Sequence, residues 1–154
     1  MPKYRSLTMD ELQSLEKEFV DFLVVNGITA DDWTQLKEED PERAEKICDS
    51  FSDVVFEKIL RECQYIERHL PYSIVSISCG EDKMQLRGLE IPKDSKFDLT
   101  RQEDRMKILA LESNLLKSIS SYKPYGESGR EKEIFEMLNQ GFFISDSTFY
   151  DSLA

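Results

Sequence analysis

The spacing of apolar residues divides the chain into helices followed by short strands. In the first third, apolar residues recur every three or four positions, which is typical of amphipathic helices. Thr8–Glu11 has the sequence of a capping box, and Asn26-Gly27 is a typical helix stop. We therefore expect helices over residues 9–25, over a short stretch from about 29 that contains Trp33 and Leu36, and from 41 to about 63.

The second half of the third helix has apolar residues on two sides. One side consists of Val54, Val55 and Ile59, and the other consists of Phe56, Leu60 and Cys63. Because a helix that is apolar on both sides is normally covered on both sides, we expect this stretch to form the centre of the core.

From about residue 65 the pattern changes to short runs that alternate or are rich in β-branched residues, which is typical of strands. Residues 74–79 and 84–91 predict an antiparallel hairpin with a four-residue connection. Residues 65–70 are either a third strand or the frayed end of the preceding helix. We therefore expect a small antiparallel meander or hairpin over about 65–91.

Two further helices and an aromatic tail complete the predicted order. A second capping-box pattern, Thr100–Glu103, opens a helix predicted over about 101–121, with an apolar surface formed by Met106, Ile108, Leu109, Leu111, Leu115, Leu116 and Ile119. A turn-rich segment, 123–129, precedes a helix that begins near Ser128 and ends at Gly141. The sequence thus predicts an α+β fold in one domain, residues 1–154, with an acidic helical part (1–63), a β part (64–91), a helical part (100–141) and an aromatic tail (142–154).

The charge of the chain is distributed unevenly. Residues 1–72 contain 17 Asp and Glu against nine Lys and Arg, a net charge of −8, whereas the other 82 residues have a net charge of −3. This field repels phosphate backbones and anionic lipid headgroups, so direct binding to nucleic acid or membranes is disfavoured. We expect neither a signal peptide nor a membrane span. Three cysteines without a CxxC pair predict a reduced, cytoplasmic protein.

A row of carboxylates is the first candidate site. Asp49, Asp53 and Glu57 are spaced at i, i+4 and i+8, so they lie on one side of the third predicted helix. Oxygen ligands in such a row can hold a hard cation such as Mg²⁺ if a second element adds donors. A solvated acidic face is the simpler interpretation.

His69 is the only histidine in the chain. On a strand it shares a face with Glu67, but one imidazole near Pro71 is more typical of a surface or edge residue than of a catalytic one. The sequence predicts no catalytic residue and no cofactor.

The segment before the last predicted helix is a candidate anion site. Lys123, Ser128, Gly129 and Arg130 lie next to a helix N-terminus, where free N–H groups and the helix dipole attract phosphate. Glu127 and Glu131 oppose an anion there, and the spacing matches neither the P-loop nor the dinucleotide fingerprint. A plain capped helix is the alternative interpretation.

The aromatic tail is the third candidate site. Phe142, Phe143, Phe149 and Tyr150 lie within 13 residues, and leaving four large rings in water is unfavourable. Either they fold back onto the core of their own chain, or they dock onto a second subunit or another protein, since aromatic residues are enriched in interface cores.

Several segments resemble a small uncharacterised family of proteins from the Bacteroidota. The similar strings are 4–8, 19–28, 30–33 and 51–57, within roughly the first 90 residues. The resemblance implies a bacterial and cytoplasmic origin, and it implies no activity and no site residue.

These observations favour a non-enzymatic protein–protein interaction or regulatory module. Its acidic helices would face a basic surface of a partner protein, and the aromatic tail would add an apolar contact. The alternative is a small ligand-binding domain or enzyme that uses the anion site at 123–130 or the metal site at 49–57. The sequence leaves a homo-oligomer open.

Overall fold

The chain forms two compact units in the computed structural model, which describes residues 2–110 and 117–153. The first unit is Met1–Arg61 and the second is Glu62–Ala154. The first is helical and the second combines helices with an antiparallel sheet. This mixture confirms the predicted α+β class, whereas the assignment of the whole chain to one domain stays a prediction.

The N-terminal helices are α1 (Met9–Ser14), α2 (Glu16–Val25), α3 (Ala30–Glu39) and α4 (Pro41–Glu62). The capping box at Thr8 is confirmed, because the Thr8 hydroxyl accepts from the Glu11 N–H and the Glu11 carboxylate accepts from the Thr8 N–H. The single helix predicted over 9–25 is wrong at Leu15, where the backbone leaves helical geometry (φ −108°, ψ 23°) and separates α1 from α2.

Aromatic side chains form the core of the first unit. Phe51 on α4 is 2% exposed. The rings of Phe19 and Phe22 on α2 lie 5.0 and 5.4 Å from its ring centroid, and Trp33 on α3 lies 5.2 Å from Phe19. Tilted and edge-on pairs at these distances add to the stabilisation that burial provides.

The prediction that α4 is covered on both sides is wrong. Val54 is 54% exposed and Ile59 is 41% exposed, whereas Leu60 is buried. The side of α4 that contains Val54 and Ile59 is therefore exposed to solvent. Single exposed valines and isoleucines are common at the surfaces of folded proteins.

The second unit is built on a five-stranded antiparallel sheet. Its strands are β1 (Tyr65–Leu70), β2 (Ser73–Cys79), β3 (Lys83–Glu90), β4 (Lys117–Pro124) and β5 (Phe143–Ser145), in the spatial order β4-β3-β2-β1-β5. The predicted hairpin is therefore present, and residues 65–70 form a strand. The helices of this unit are α5 (Gln102–Ala110), α6 (Arg130–Leu138) and α7 (Thr148–Ser152).

The helix predicted over 101–121 is wrong at its C-terminal end. Residues 117–121 belong to β4, and Ile119 pairs with Gly88 of β3. Leu111, Leu115 and Leu116, which were predicted to lie on the same helix, fall outside the described residues. The run Ser118–Tyr122 combines serines with the β-branched Ile119 and the aromatic Tyr122, and pairing with the edge of β3 prevails over the helical spacing that continues from α5.

One side of the sheet contains both a hydrophobic core cluster and a buried carboxylate. In the β1–β2 register Glu67 pairs with Ser76 and His69 with Ile74, so these four side chains share a side. The core cluster on this side consists of Ile74, Leu89, Ile91, Leu99, Ile108 and Phe149. Glu67 is buried beside it.

Candidate functional site

The acidic row on α4 binds the chain's own N-terminal segment. We call residues 3–7 the N-terminal strap. Asp53 Oδ1 accepts hydrogen bonds from the backbone N–H groups of Lys3 and Tyr4, at 2.7 and 3.3 Å. The Tyr4 hydroxyl donates to Glu57 Oε2 at 2.6 Å. Both carboxylates therefore hold the strap against the helix.

The contacts continue along the helix toward its N-terminus. The Ser6 hydroxyl donates to Asp49 Oδ1 at 2.9 Å, and the Leu7 N–H donates to Ser52 Oγ at 3.1 Å. Ser52 is buried and in turn donates to the Cys48 carbonyl. The three carboxylates of the predicted site are thus brought together on one side of α4, with polar groups of the strap as their partners.

In the first unit, the half-buried carboxylates are the ones that bind the strap and the adjoining Thr8. Residues 1–61 contain 15 Asp and Glu and eight Lys and Arg, a net charge of −7. Eleven of the 15 carboxylates are exposed, and the four that are half-buried are Glu11, Asp49, Asp53 and Glu57. All four bind residues 3–8, since Glu11 pairs with Arg5 at 2.8 Å and caps Thr8. The remaining acidic groups face solvent.

Two of these carboxylates are held in their ionised form. The hydrogen bond from Tyr4 lowers the pKa of Glu57 below its ordinary value and outweighs the opposing effect of burial, and Lys3 adds to the lowering. The hydrogen bond from Arg5 lowers the pKa of Glu11 to about 2. The strap is therefore bound most strongly at pH values at which both carboxylates are ionised.

No group of three or more His, Cys, Asp or Glu side chains is placed to hold a metal ion in the part of the chain that the structure describes. The metal site at Asp49, Asp53 and Glu57 stays a prediction.

Arg130 is bound to backbone carbonyls of the sheet unit. Its guanidinium donates to the carbonyl oxygens of Cys63, Cys79 and Gly80, the last two at 3.2 and 3.1 Å. The Tyr125 hydroxyl donates to the same Gly80 carbonyl at 2.6 Å. These contacts join the start of α6 to the ends of β1 and β2.

The other members of the predicted anion site are dispersed. The Lys123 ammonium pairs with Glu133 at 2.8 Å, and Glu133 also accepts from the Gly126 N–H at 2.7 Å. Burial opposes ionisation of Glu133, but these hydrogen bonds together lower its pKa. Gly129 is the N-cap of α6 with φ 90°, and Ser128 is exposed. The anion site stays a prediction. Its two cationic side chains, Lys123 and Arg130, both have protein partners.

Three of the four aromatic residues of the tail pack within the second unit. Phe149 belongs to the core cluster, and the Tyr150 ring lies 5.5 Å from Tyr65. Phe142 is 8% exposed, whereas Phe143 on β5 is 44% exposed. The structure thus brings Phe142, Phe149 and Tyr150 into the protein interior and leaves Phe143 at the edge of the sheet.

Phe143 borders a cavity of about 510 Å³ that the sequence did not predict. Its floor contains Glu67 and His69, whose Nε2 and Oε2 atoms are 2.8 Å apart. The sequence placed these two residues on one face of a strand but indicated an edge position for His69. The spacing of Glu67 and His69 on one face of β1 indicates a shared polar position. The cavity itself could not be predicted, because β5, the strand that pairs with β1 there, is only three residues long.

The fold and these sites define an acidic α+β protein with a strap-bound helical unit and a sheet unit that contains a cavity lined by a buried carboxylate and apolar side chains. None of the described helices is long and apolar enough to cross a membrane.

The chain belongs to the family of unknown function DUF6495, whose family model matches residues 1–154. The expectation of an uncharacterised family is therefore confirmed over the full sequence, while the assignment to the Bacteroidota stays a prediction. Comparisons with curated proteins and with solved structures returned no match. Membership in this family brings no activity to the chain.

Proposed function

We propose that this protein is a non-enzymatic, cytoplasmic interaction or regulatory module whose helical unit binds a partner protein with a basic surface. The observation that carries the proposal is the set of eleven exposed carboxylates in residues 1–61. A net charge of −7 on a unit of this size speeds encounter with a basic surface and disfavours acidic partners.

Apolar residues on α2 give the acidic surface a means of adding affinity. Val20 is 49% exposed, Val24 is 66% exposed and Val25 is 85% exposed. Val20 and Val24 are one helical turn apart, so they lie on the same side of α2. Asp21 and Glu18 flank Val20 in sequence and are exposed. An apolar contact with a charged rim is typical of protein interfaces.

The exposed Phe143 is the part of the aromatic tail that supports a second contact with a partner. The alternative, a ligand-binding domain or enzyme built on the anion site, has less support. It requires Lys123 and Arg130 to leave the protein partners that they have in the structure.

A comparison of charge variants tests the proposal. Glu18→Gln, Asp21→Asn and Glu38→Gln together remove three exposed charges from the helical unit without touching the strap. Proteins captured by the wild-type chain from native cells are compared with those captured by this triple variant. We expect the specific partner to be reduced at least about fivefold, because each exposed charge contributes a few tenths of a kcal/mol.

The matched control removes three exposed charges from the sheet unit by Glu81→Gln, Asp82→Asn and Glu136→Gln. This variant has the same net charge and should capture the partner as the wild type does. Equal losses in both triple variants, or no loss in either, would contradict the assignment of the interaction surface to the helical unit.

A further inference from the structure

The cavity beside β5 contains a buried carboxylate with a single hydrogen bond. Glu67 is 7% exposed. Its Oε2 atom accepts from His69 Nε2–H at 2.8 Å, and no other partner binds it within the described residues. A buried carboxylate is normally satisfied by several donors because it can accept about four hydrogen bonds. A donor group in the cavity can therefore bind the carboxylate oxygen that His69 leaves free.

A second under-satisfied group lies beside Glu67. Ser76 is directly opposite Glu67 in the β1–β2 register, and its hydroxyl is fully buried without a hydrogen-bond partner. Of these two groups only Glu67 lines the cavity, and its carboxylate selects for a ligand head that donates hydrogen bonds.

The walls of the cavity are apolar and open to solvent. Met106 and Leu109 of α5 line it together with Phe143 of β5, and all three residues are at least 42% exposed. The Phe143 ring meets the His69 ring edge-on at 5.0 Å. An aromatic wall next to a carboxylate favours a cation on an apolar stem, through cation–π attraction and burial of the stem.

The other charged groups at the cavity do not change this preference. Arg105 donates to the Leu99 carbonyl at 3.0 Å, and Asp146 accepts from the Thr148 N–H at 2.9 Å. Two carboxylates, Glu67 and Asp146, therefore face one guanidinium among the lining residues. The balance of charge disfavours an anionic ligand.

We propose that this cavity is a binding site for an ammonium group carried on a short aromatic or aliphatic stem. The ammonium donates to Glu67, and the stem lies between α5 and Phe143. The site belongs to the sheet unit alone and is independent of the interaction surface proposed for the helical unit.

The test is a calorimetric titration of the full chain with phenethylamine. 2-Phenylethanol is the control ligand, because it has the same stem with a neutral hydroxyl. We expect the amine to bind at least about tenfold more tightly than the alcohol, as a charged hydrogen bond in a buried site requires. Nα-acetyl-lysine methylamide is titrated in parallel. Preference for this probe would identify the source of the ammonium group as a lysine side chain, and preference for phenethylamine would identify it as a free amine.

Two variants of equal charge separate the site from general attraction to an acidic protein. Glu67→Gln should weaken amine binding about tenfold, since it keeps the shape of the side chain and removes the charge. Glu136→Gln, at an exposed position on α6, should leave the affinity unchanged. Phe143→Ala changes an exposed wall residue and should also weaken binding, which provides a second measurement if Glu67→Gln does not fold.

The proposal is overturned by any of four results. These are absence of binding by either amine probe, equal affinity for the alcohol, equal effects of the two glutamate variants, or an unchanged amine affinity in Phe143→Ala when Glu67→Gln is unfolded.

Discussion

Replacing Tyr4 by phenylalanine tests how the strap is held. The substitution removes one hydroxyl and keeps the ring, which is 9% exposed and lies 6.1 Å from the Phe56 ring centroid. The lost interaction is the 2.6 Å hydrogen bond to Glu57. A hydrogen bond to a charged acceptor contributes about 1.5–3 kcal/mol, and partial exposure of Glu57 reduces this. We expect the free energy of unfolding to fall by about 1–2 kcal/mol.

The assay follows Trp33 fluorescence during urea denaturation of the full chain. Trp33 is the only tryptophan, and it packs against Phe19 in the helical unit, so the signal reports on that unit. The control is Tyr122→Phe, which removes a hydroxyl from an exposed residue of β4. It should leave the Trp33 transition unchanged.

The same substitution should alter the dependence of stability on pH. Tyr4 lowers the pKa of Glu57 in the folded chain, so the contribution of their hydrogen bond is present above the ordinary pKa of 4.5. It is lost as pH falls through the lower pKa of the folded state. Wild type and Tyr4→Phe should therefore differ at neutral pH and converge in acid. Equal midpoints at neutral pH, or a constant difference down to the acid range, would refute this account of the strap.

Three other changes test the sheet unit and the thiols. Gly88→Ala should destabilise the sheet by about 2 kcal/mol or more, because a Cβ atom would lie 2.7 Å from the Ile74 carbonyl oxygen. Gly126→Ala should be tolerated, so equal midpoints of the two variants in thermal unfolding, followed by circular dichroism, would contradict the close packing at Gly88. Arg130→Met should lower stability by about 2 kcal/mol or more, since the Cys63 and Cys79 carbonyls lose this donor and the Gly80 carbonyl keeps only Tyr125, and a near-neutral effect would show that the cluster is not structural. Under native conditions iodoacetamide should label Cys48 before the buried Cys63 and Cys79, although burial raises the pKa of the Cys48 thiol. Mass spectrometry after short exposure measures the order of labelling, and earlier labelling of Cys63 or Cys79 would contradict the burial pattern.

Local sequence signals predicted the elements whose partners are close in sequence. The capping box at Thr8 and the hairpin strands predicted at 74–79 and 84–91 follow from residues within a few positions of one another, whereas the pattern at 65–70 left a strand and a frayed helix end open. β4 was missed because its partner, β3, is about 30 residues earlier, and pairing with that edge changed the structure expected for Ile119. Helical spacing describes which residues share a side, but it does not describe which sheet edge is free.

The same limit explains the candidate sites. The carboxylate row on α4 was correctly placed on one side of a helix, but its partners are 43 to 54 residues away in the strap. Arg130 has the sequence context of an anion site, and its acceptors are carbonyls 50 to 67 residues earlier. A loop rich in glycine and basic residues has the same sequence pattern whether it binds an anion or binds groups of its own chain. Only tertiary contacts decide between the two.

The charge dependence of partner binding tests the central claim most directly. The partner lost from the helical triple variant is purified, and its Kd for the wild-type chain is measured at about 50 mM and about 500 mM salt, where the Debye length falls from roughly 14 Å to roughly 4 Å. We predict that the Kd rises at least about tenfold with salt for the wild type and for the sheet-unit variant, and clearly less for the helical variant. A Kd that does not change with salt, or one that changes equally for all three proteins, would contradict an interaction based on the acidic surface of the helical unit.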